Sequence, residues 1–424
     1  MRNQLFAATA LAAAFTATPA LAAPGDPVSF GDPVSFGDSL SFDPIVDLRI
    51  RYEDVDQPTL EAEAATARLR AGFELRHPAS GLALLAEGVG TLAIGNDYNA
   101  FPFAAASGQR RPRYAVVADP ENVELNRLQV QWKGKAAAVT FGRQRINLDD
   151  QRWVGSVAWR QNEQTFDAVR GEAKLGPVTL DGSYAISQRS IWGIDAGPRQ
   201  AMHGDFGLLN AGVKLGPVQA KAFAYLVDYD AGDEPYFLTN ASQTYGVRAT
   251  AALPLGKAKL ALAASYARQS DFGANPFDYA ADYVAAEAAV GLAGLTATAG
   301  YELLGSDRDA APGGFAVQTP LATLHKFNGW ADVFLVTPAA GLQDLYGGLA
   351  YKFDAVRILP GLNAAIFYHR FDSDAGDVAY GDEWDASVGF KLGRAAILAK
   401  YADYDAKGFG ADTRRFWLQA EIAY

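Results

Sequence analysis

The chain is organised as a succession of segments, each about ten residues long, in which apolar and polar residues alternate one for one. A period of two puts one set of side chains on each face of a β-strand. A tilted strand of that length crosses a bilayer, whereas a helix needs about 20 apolar residues in a row. The first segment runs from Ile45 to Glu53, with Val46, Leu48, Ile50 and Tyr52 opposite Asp47, Arg49, Arg51 and Glu53. The second, Ala64 to Leu75, sets Leu69, Ala71, Phe73 and Leu75 against Arg68, Arg70 and Glu74. Further strands are centred near residues 86, 127, 140, 168, 183, 210, 223, 247, 263, 287, 299, 348, 367, 387, 400 and 418, eighteen in all. Inside lipid every backbone polar group needs a protein partner, so such strands must close into a ring. The expected fold is all-β: a single-chain transmembrane β-barrel of about 18 antiparallel strands in a meander, occupying residues 45–424.

The connections agree with this. Between even and odd strands the links are brief, as at Leu175-Gly176-Pro177, Leu215-Gly216-Pro217, Ala293-Gly294 and Leu392-Gly393-Arg394. Glycine and proline suit tight hairpins. Between odd and even strands lie longer links, 92–121, 145–162, 189–204, 229–240, 270–281 and 304–342. Short periplasmic turns alternating with long extracellular loops are the pattern of outer-membrane barrels, and an even count places both termini on the periplasmic side. Two alanine-rich stretches, Leu60–Arg70 and Tyr283–Ala297, have helical propensity. They lack caps, and Gly291, Gly294 and Gly300 recur through or beside the second, so strands are expected there too. Phe327 to Leu335 also alternates; a nineteenth strand would break the even count, so it is assigned to a loop folding into the pore.

The N-terminus has Arg2, an apolar stretch from Leu5 to Phe15 and the small-x-small site Ala20-Leu21-Ala22, so residues 1–22 read as a secretory signal peptide. Residues 23–44 hold a tandem hexapeptide, Gly25–Phe30 and Gly31–Phe36, and read as a periplasmic leader. Cysteine is absent, which excludes disulfides and a lipoprotein anchor. Mean hydropathy is −0.04, the middling value expected when strands face lipid on one side and water on the other. The net charge of −11 argues against nucleic acid. The last strand ends Arg415-Phe416-Trp417-Leu418-Gln419-Ala420-Glu421-Ile422-Ala423-Tyr424, which looks like the C-terminal signal read by the outer-membrane assembly machinery. The expected location is the outer membrane of a Gram-negative bacterium, with its lipid and lipopolysaccharide as surroundings.

Catalytic and metal chemistry find little support. Phe36-Gly37-Asp38-Ser39-Leu40-Ser41 resembles the nucleophile block of GDSL lipases, but it belongs to the hexapeptide duplication and the chain has no Asp-x-x-His element. A serine without a base is not an activated nucleophile. His77, His203, His325 and His369 are not at metal-ligand spacing from one another. Acidic loops such as Asp228–Glu234, Asp372–Asp377 and Asp403–Asp405 are where Ca²⁺ would bind, but none completes a calcium loop and solvated carboxylates are the better reading. No enzyme activity and no cofactor are expected.

The face opposite the apolar one is the informative constellation. It carries Arg49, Arg51, Arg68, Arg70, Arg127, Arg170, Lys174, Arg248, Lys352, Lys391, Lys400 and Arg415, with Asp47, Glu74, Glu172, Glu287, Glu302, Asp344, Asp385 and Glu421 among them. Guanidinium groups lining water attract carboxylated solutes. Equally, these charges can pair across adjacent strands and brace the wall. Two segments resemble the bacterial alginate-export outer-membrane family: Phe141-Gly142-Arg143-Gln144-Arg145-Ile146-Asn147-Leu148-Asp149-Asp150-Gln151-Arg152-Trp153 continuing to Asp167, and His325-Lys326-Phe327-Asn328-Gly329-Trp330 continuing to Tyr346. The resemblance implies an eighteen-stranded barrel with an arginine-rich pore for a uronate polymer. It also implies that Arg143, Arg145, Arg152 and Arg160, at or within the loop after strand 5, narrow that pore. The expectation is a passive channel for anionic polysaccharide or oligosaccharide, in export or uptake. The alternative is a general small-solute porin whose arginines are structural.

Overall fold

The computed structural model describes residues 34–36, 40–232, 235–310, 313–354 and 356–423. The proposed signal peptide, the first hexapeptide and terminal Tyr424 lie outside the described residues. Eighteen strands form the wall: β1 Leu40–Asp56, β2 Glu61–His77, β3 Leu82–Asp97, β4 Asn122–Lys133, β5 Ala137–Gln144, β6 Thr165–Leu175, β7 Val178–Arg189, β8 Ala201–Leu215 and β9 Val218–Tyr229. The second half comprises β10 Ser242–Leu255, β11 Ala258–Asp271, β12 Ala280–Leu292, β13 Leu295–Leu304, β14 Leu342–Lys352, β15 Asn363–Asp372, β16 Ala379–Leu392, β17 Ala395–Ala406 and β18 Thr413–Ala423. Each pairs antiparallel with its neighbour in sequence, and β18 returns to β1 from Asp47↔Ala423 to Asp56↔Arg414. The sheet is closed, so no strand edge is left for lipid to face.

Every expected strand centre falls in one of these strands, and both alanine-rich stretches are extended. Among the described residues no helix is long and apolar enough to cross a membrane. The outer wall is a belt of exposed apolar side chains, with Val123 78% and Phe141 69% exposed. A water-facing protein rarely shows so continuous an apolar surface. Exposed Trp132 and Tyr351 stand near the turn end, and Tyr184, Tyr245, Tyr266 and Trp384 toward the loop end, as interfacial girdles do.

Two details depart from the sequence reading, the β14–β15 link and the inner face of β8 and β9, whereas Phe327–Leu335 lies in an inward loop as expected. The link from β14 to β15, residues 353–362, is no tight hairpin but a series of turns closed by hydrogen bonds such as Val356 N to Phe353 O and Leu359 N to Val356 O. Phe327–Leu335 contains no strand; Asn328 and Asp332 take φ of 56° and 59°, which ends any extended run. On β8 and β9 the inner face does not meet water: Phe206, Leu208, Phe223, Tyr225, Val227 and Tyr229 point inward and are buried. They are covered by loops that fold into the barrel.

Candidate functional site: the lumen

Besides residues 98–121, whose Asp119 reaches the lumen arginines, two loops fold into the barrel, residues 145–164 between β5 and β6 and residues 305–341 between β13 and β14. They hold each other through Gly155 N to Leu321 O at 2.9 Å and Thr323 N to Gln151 O at 3.0 Å. Ile146, Leu148 and Val154 from the first, and Val317, Leu321, Trp330 and Phe334 from the second, pack in one core with the inward aromatics of β8 and β9. Val157 is β-branched yet has φ of 52°, a strain that its bonded surroundings fix: its N–H donates to Thr323 Oγ1 at 3.1 Å.

The wall arginines grip the first loop. Arg49 Nη1 donates to the carbonyls of Ala158 and Trp159, both at 3.1 Å, and Arg51 Nη2 donates to Trp159 O at 2.5 Å. Their charges are met by carboxylates: Arg49 by Glu421 at 3.0 Å and Arg51 by Asp119 at 3.3 Å. Arg68 pairs with Asp47 at 2.5 Å and Glu421 at 3.1 Å, and Arg70 with Glu163 at 2.8 Å. Arg127 takes Glu87 bidentately at 2.9 and 2.6 Å, and Arg145 bridges Glu87 and Glu163. Burial alone would raise Glu163, but Arg145 and Arg70 hold its carboxyl well below the usual carboxylate range.

The remaining predicted arginines are also engaged. Arg160 reaches Asp332 at 2.6 Å and Glu53 at 3.1 Å; Arg152 reaches Glu302 at 2.7 Å. Arg170 forks onto Asp181 at 3.0 and 2.6 Å, and Arg248 meets Asp150 at 2.8 Å. Arg143 lies at the end of β5 rather than in the following loop, two residues beyond exposed Phe141, and is locked bidentately to Asp167 at 2.7 and 3.0 Å. The structure therefore brings Arg49, Arg51, Arg68, Arg70, Arg127, Arg145 and Arg160 into one network and leaves Arg143, Arg152, Arg170 and Arg248 at separate places around the wall.

Several members of that network were not singled out in the sequence. Asp119, Glu163 and Asp332 come from loops, where no strand period assigns a face. The strand period puts Lys400 on the lumen face but says nothing of its surroundings: Nζ stands 3.8 Å from the Trp330 ring, 4.2 Å from Trp159 and 2.8 Å from His325 Nε2. His325 stacks on Trp159 at 4.5 Å and hydrogen-bonds Asp332 through Nδ1 at 2.8 Å. Burial first, and then the neighbouring Lys400, lowers the His325 imidazole to about 3 despite Asp332. The tip of the second loop hangs on Glu383, which accepts the N–H of Trp330 at 2.5 Å and of Ala331 at 2.8 Å. Gly329 makes this possible: it has φ of 81°, and a Cβ there would stand 2.3 Å from the Glu383 carboxylate.

On the opposite side of the lumen there is space. A cavity of about 860 Å³ lies along β11–β15, between loop residues 326–330 and the turn at 353–362. Its wall interleaves small side chains, Ala263, Ala285, Thr296, Thr298 and Ala350, with polar and charged ones, Arg248, Glu302 and Asp344 among them, and Glu287 and Tyr346 are hydrogen-bonded to each other there at 2.6 Å. Lys326 Nζ donates to Asp150 O at 2.6 Å, and burial lowers its ammonium to about 8. Among the described residues no three His, Asp or Glu side chains converge so as to hold a metal ion.

A closed antiparallel barrel with an apolar belt, two inward loops and a cavity reaching the turn side defines a channel of the outer membrane. The chain belongs to the Gram-negative porin family, whose profile matches residues 7–359. Its fold is shared by Pseudomonas aeruginosa OpdK, solved with vanillate, at a TM-score of 0.68 and 13% identity over 91% of this chain and 98% of that one. Acinetobacter baumannii OccAB3 matches at 0.68 and 14%, covering 92% and 100%, and Pseudomonas aeruginosa OpdO at 0.66 and 15%, covering 90% and 97%. No curated protein matches the chain in sequence.

Proposed function

We propose that this porin passes small solutes passively, along the cavity beside β11–β15, and that its buried arginines are structural. The observation that carries the reading is the division of the lumen. Each of the eleven arginines expected to line a pore is held by at least one carboxylate within 3.3 Å. Of the eleven only Arg248 lines the open volume, where it is paired with Asp150; the other ten stand elsewhere. A cavity of about 860 Å³ falls in the range that encloses a single small ligand, a few hundred to roughly 1,000 Å³. Vanillate, the aromatic carboxylate held by OpdK, is of that scale.

The finer expectation, an alginate-like uronate polymer, draws support only from the resemblance of residues 141–167 and 325–346; the paired arginines and the two inward loops weigh against it. Single-channel current in planar bilayers separates the two. Small sugars and monocarboxylates should permeate in liposome-swelling assays, and oligouronates should leave the current unblocked. Block by oligouronates but not by neutral maltodextrins would restore the polymer reading.

A further inference from the structure

The buried arginines contribute little net field, because they are interleaved with carboxylates such as Asp47, Glu87, Asp119, Glu163 and Glu421. The periplasmic mouth is different. At six of the eight turn-side connections the inward position nearest the turn on one strand is a lysine: Lys133, Lys174, Lys214, Lys259, Lys352 and Lys391. Each lies two residues from a side chain on the lumen face and next to one on the lipid face: exposed Leu175, Leu215 and Leu392 follow Lys174, Lys214 and Lys391, and Trp132 and Tyr351 precede Lys133 and Lys352. All six lysines are exposed.

No carboxylate answers them across their hairpins. The registered partners are Ala138, Thr179, Gln219, Pro254, Asn363 and Ala396, all uncharged. The nearest acidic residue on the Lys174 face, Glu172, is itself met by Arg170 at 3.4 Å. Of the two turns without such a lysine, one carries Arg76, satisfied by Asp43 and Glu74, and the other joins Leu292 to Leu295. Lys352 lines the large cavity together with Asp354 and Arg357 of the adjoining turn, so the ring stands where that cavity opens on the turn side, with cations in excess there. In a chain of net charge −11, this concentration of one sign at one opening calls for a physical account.

We propose that the six lysines are the charge filter of the channel. A ring of like charges at a pore mouth sets the sign of the ions it admits, and a low-dielectric wall focuses its field into the opening. The ring enriches small anions, carboxylates and phosphates, over cations; the arginines do not. The inference rests on the channel reading and specifies which residues select within it.

The test is the reversal potential across a KCl gradient for the whole barrel in a planar bilayer. The native channel should prefer Cl⁻. Replacing all six lysines by glutamine should lower the Cl⁻/K⁺ permeability ratio roughly threefold or more near 0.1 M salt and hardly at all near 1 M, because the screening length falls from about 10 Å to about 3 Å. These side chains are exposed, and heat-modified migration on a gel checks that the variant barrel has formed. The triple variant K174Q/K214Q/K391Q should give an intermediate value. A conducting six-lysine variant with an unchanged ratio overturns the proposal. So does an equal shift per charge from K135Q/K257Q, which removes lysines at the turn tips and off the inward face. A native barrel that conducts nothing takes down the channel reading itself, a result distinct from both.

Discussion

The lumen has two sides built on opposite principles. Around β1–β5 and β18 it is filled: large charged side chains, Arg49, Arg51, Arg68 and Arg70 among them, are buried with their carboxylates and grip an inserted loop. Around β11–β15 alanine, threonine and glycine recur between a few charged and aromatic side chains such as Glu287, Arg248 and Tyr346, and there the space remains. The difference teaches that charge on the inward face of a barrel does not identify its path. A buried guanidinium must be paired to be tolerated, and a paired one occupies the volume a solute would need. Room is left where side chains are small.

The largest effect that would break this comparison is loss of a shared carboxylate on the filled side. Glu163→Ala deprives both Arg70 and Arg145 of a partner. Stranding buried charge should cost about 3 kcal/mol or more, read as a lower urea midpoint in micelles. An unchanged midpoint would mean that water already reaches those arginines.

Acid should act next, through His325. Its folded value of about 3 lies below the ordinary 6.5. Between pH 6.5 and 3 the unfolded chain therefore binds a proton that the folded chain refuses, so stability falls as pH falls through that window. His325→Gln should flatten this part of the pH profile; an equally steep profile in the variant would assign the acid sensitivity to other groups.

On the open side the same kind of intervention should change conduction instead. Ala285→Phe narrows the cavity and should reduce single-channel conductance by roughly half while moving stability by less than about 1.5 kcal/mol. A normal conductance would place the path elsewhere. The smallest effect is expected for Glu287→Gln, which keeps an acceptor for the Tyr346 hydroxyl. Removing one carboxylate from the cavity wall should raise anion preference slightly, by less than twofold in dilute salt; a loss of anion preference would contradict the assigned geometry.

The strands of the wall were legible in the sequence, because lipid on one side and protein or water on the other impose a period of two on most of them. The interior was only half legible. The same period put Arg49, Arg51, Arg68 and Arg70 inside and named Asp47 and Glu421 beside them, which are the partners they find. It could not place Asp119, Glu163 or Asp332, whose loops have no period. It assigned no faces on β8 and β9, where Phe206, Phe223 and Tyr225 turn inward to meet the inserted loops, so that both faces are apolar. Phe327–Leu335 alternated like a strand but is bent by left-handed Asn328 and Asp332, a property of the loop's anchoring to Glu383 and Arg160 rather than of its hydropathy.

The division of the lumen can be tested with single thiols, since the chain has no cysteine of its own. Thr298 lines the cavity, whereas Thr66, 1% exposed, accepts a hydrogen bond from Gln161 within the arginine sector. A charged, membrane-impermeant thiol reagent should modify Thr298→Cys rapidly, with a drop in conductance, and leave Thr66→Cys largely unmodified. Equal rates at the two positions, or faster reaction at Thr66→Cys, would contradict a path beside the small-residue wall.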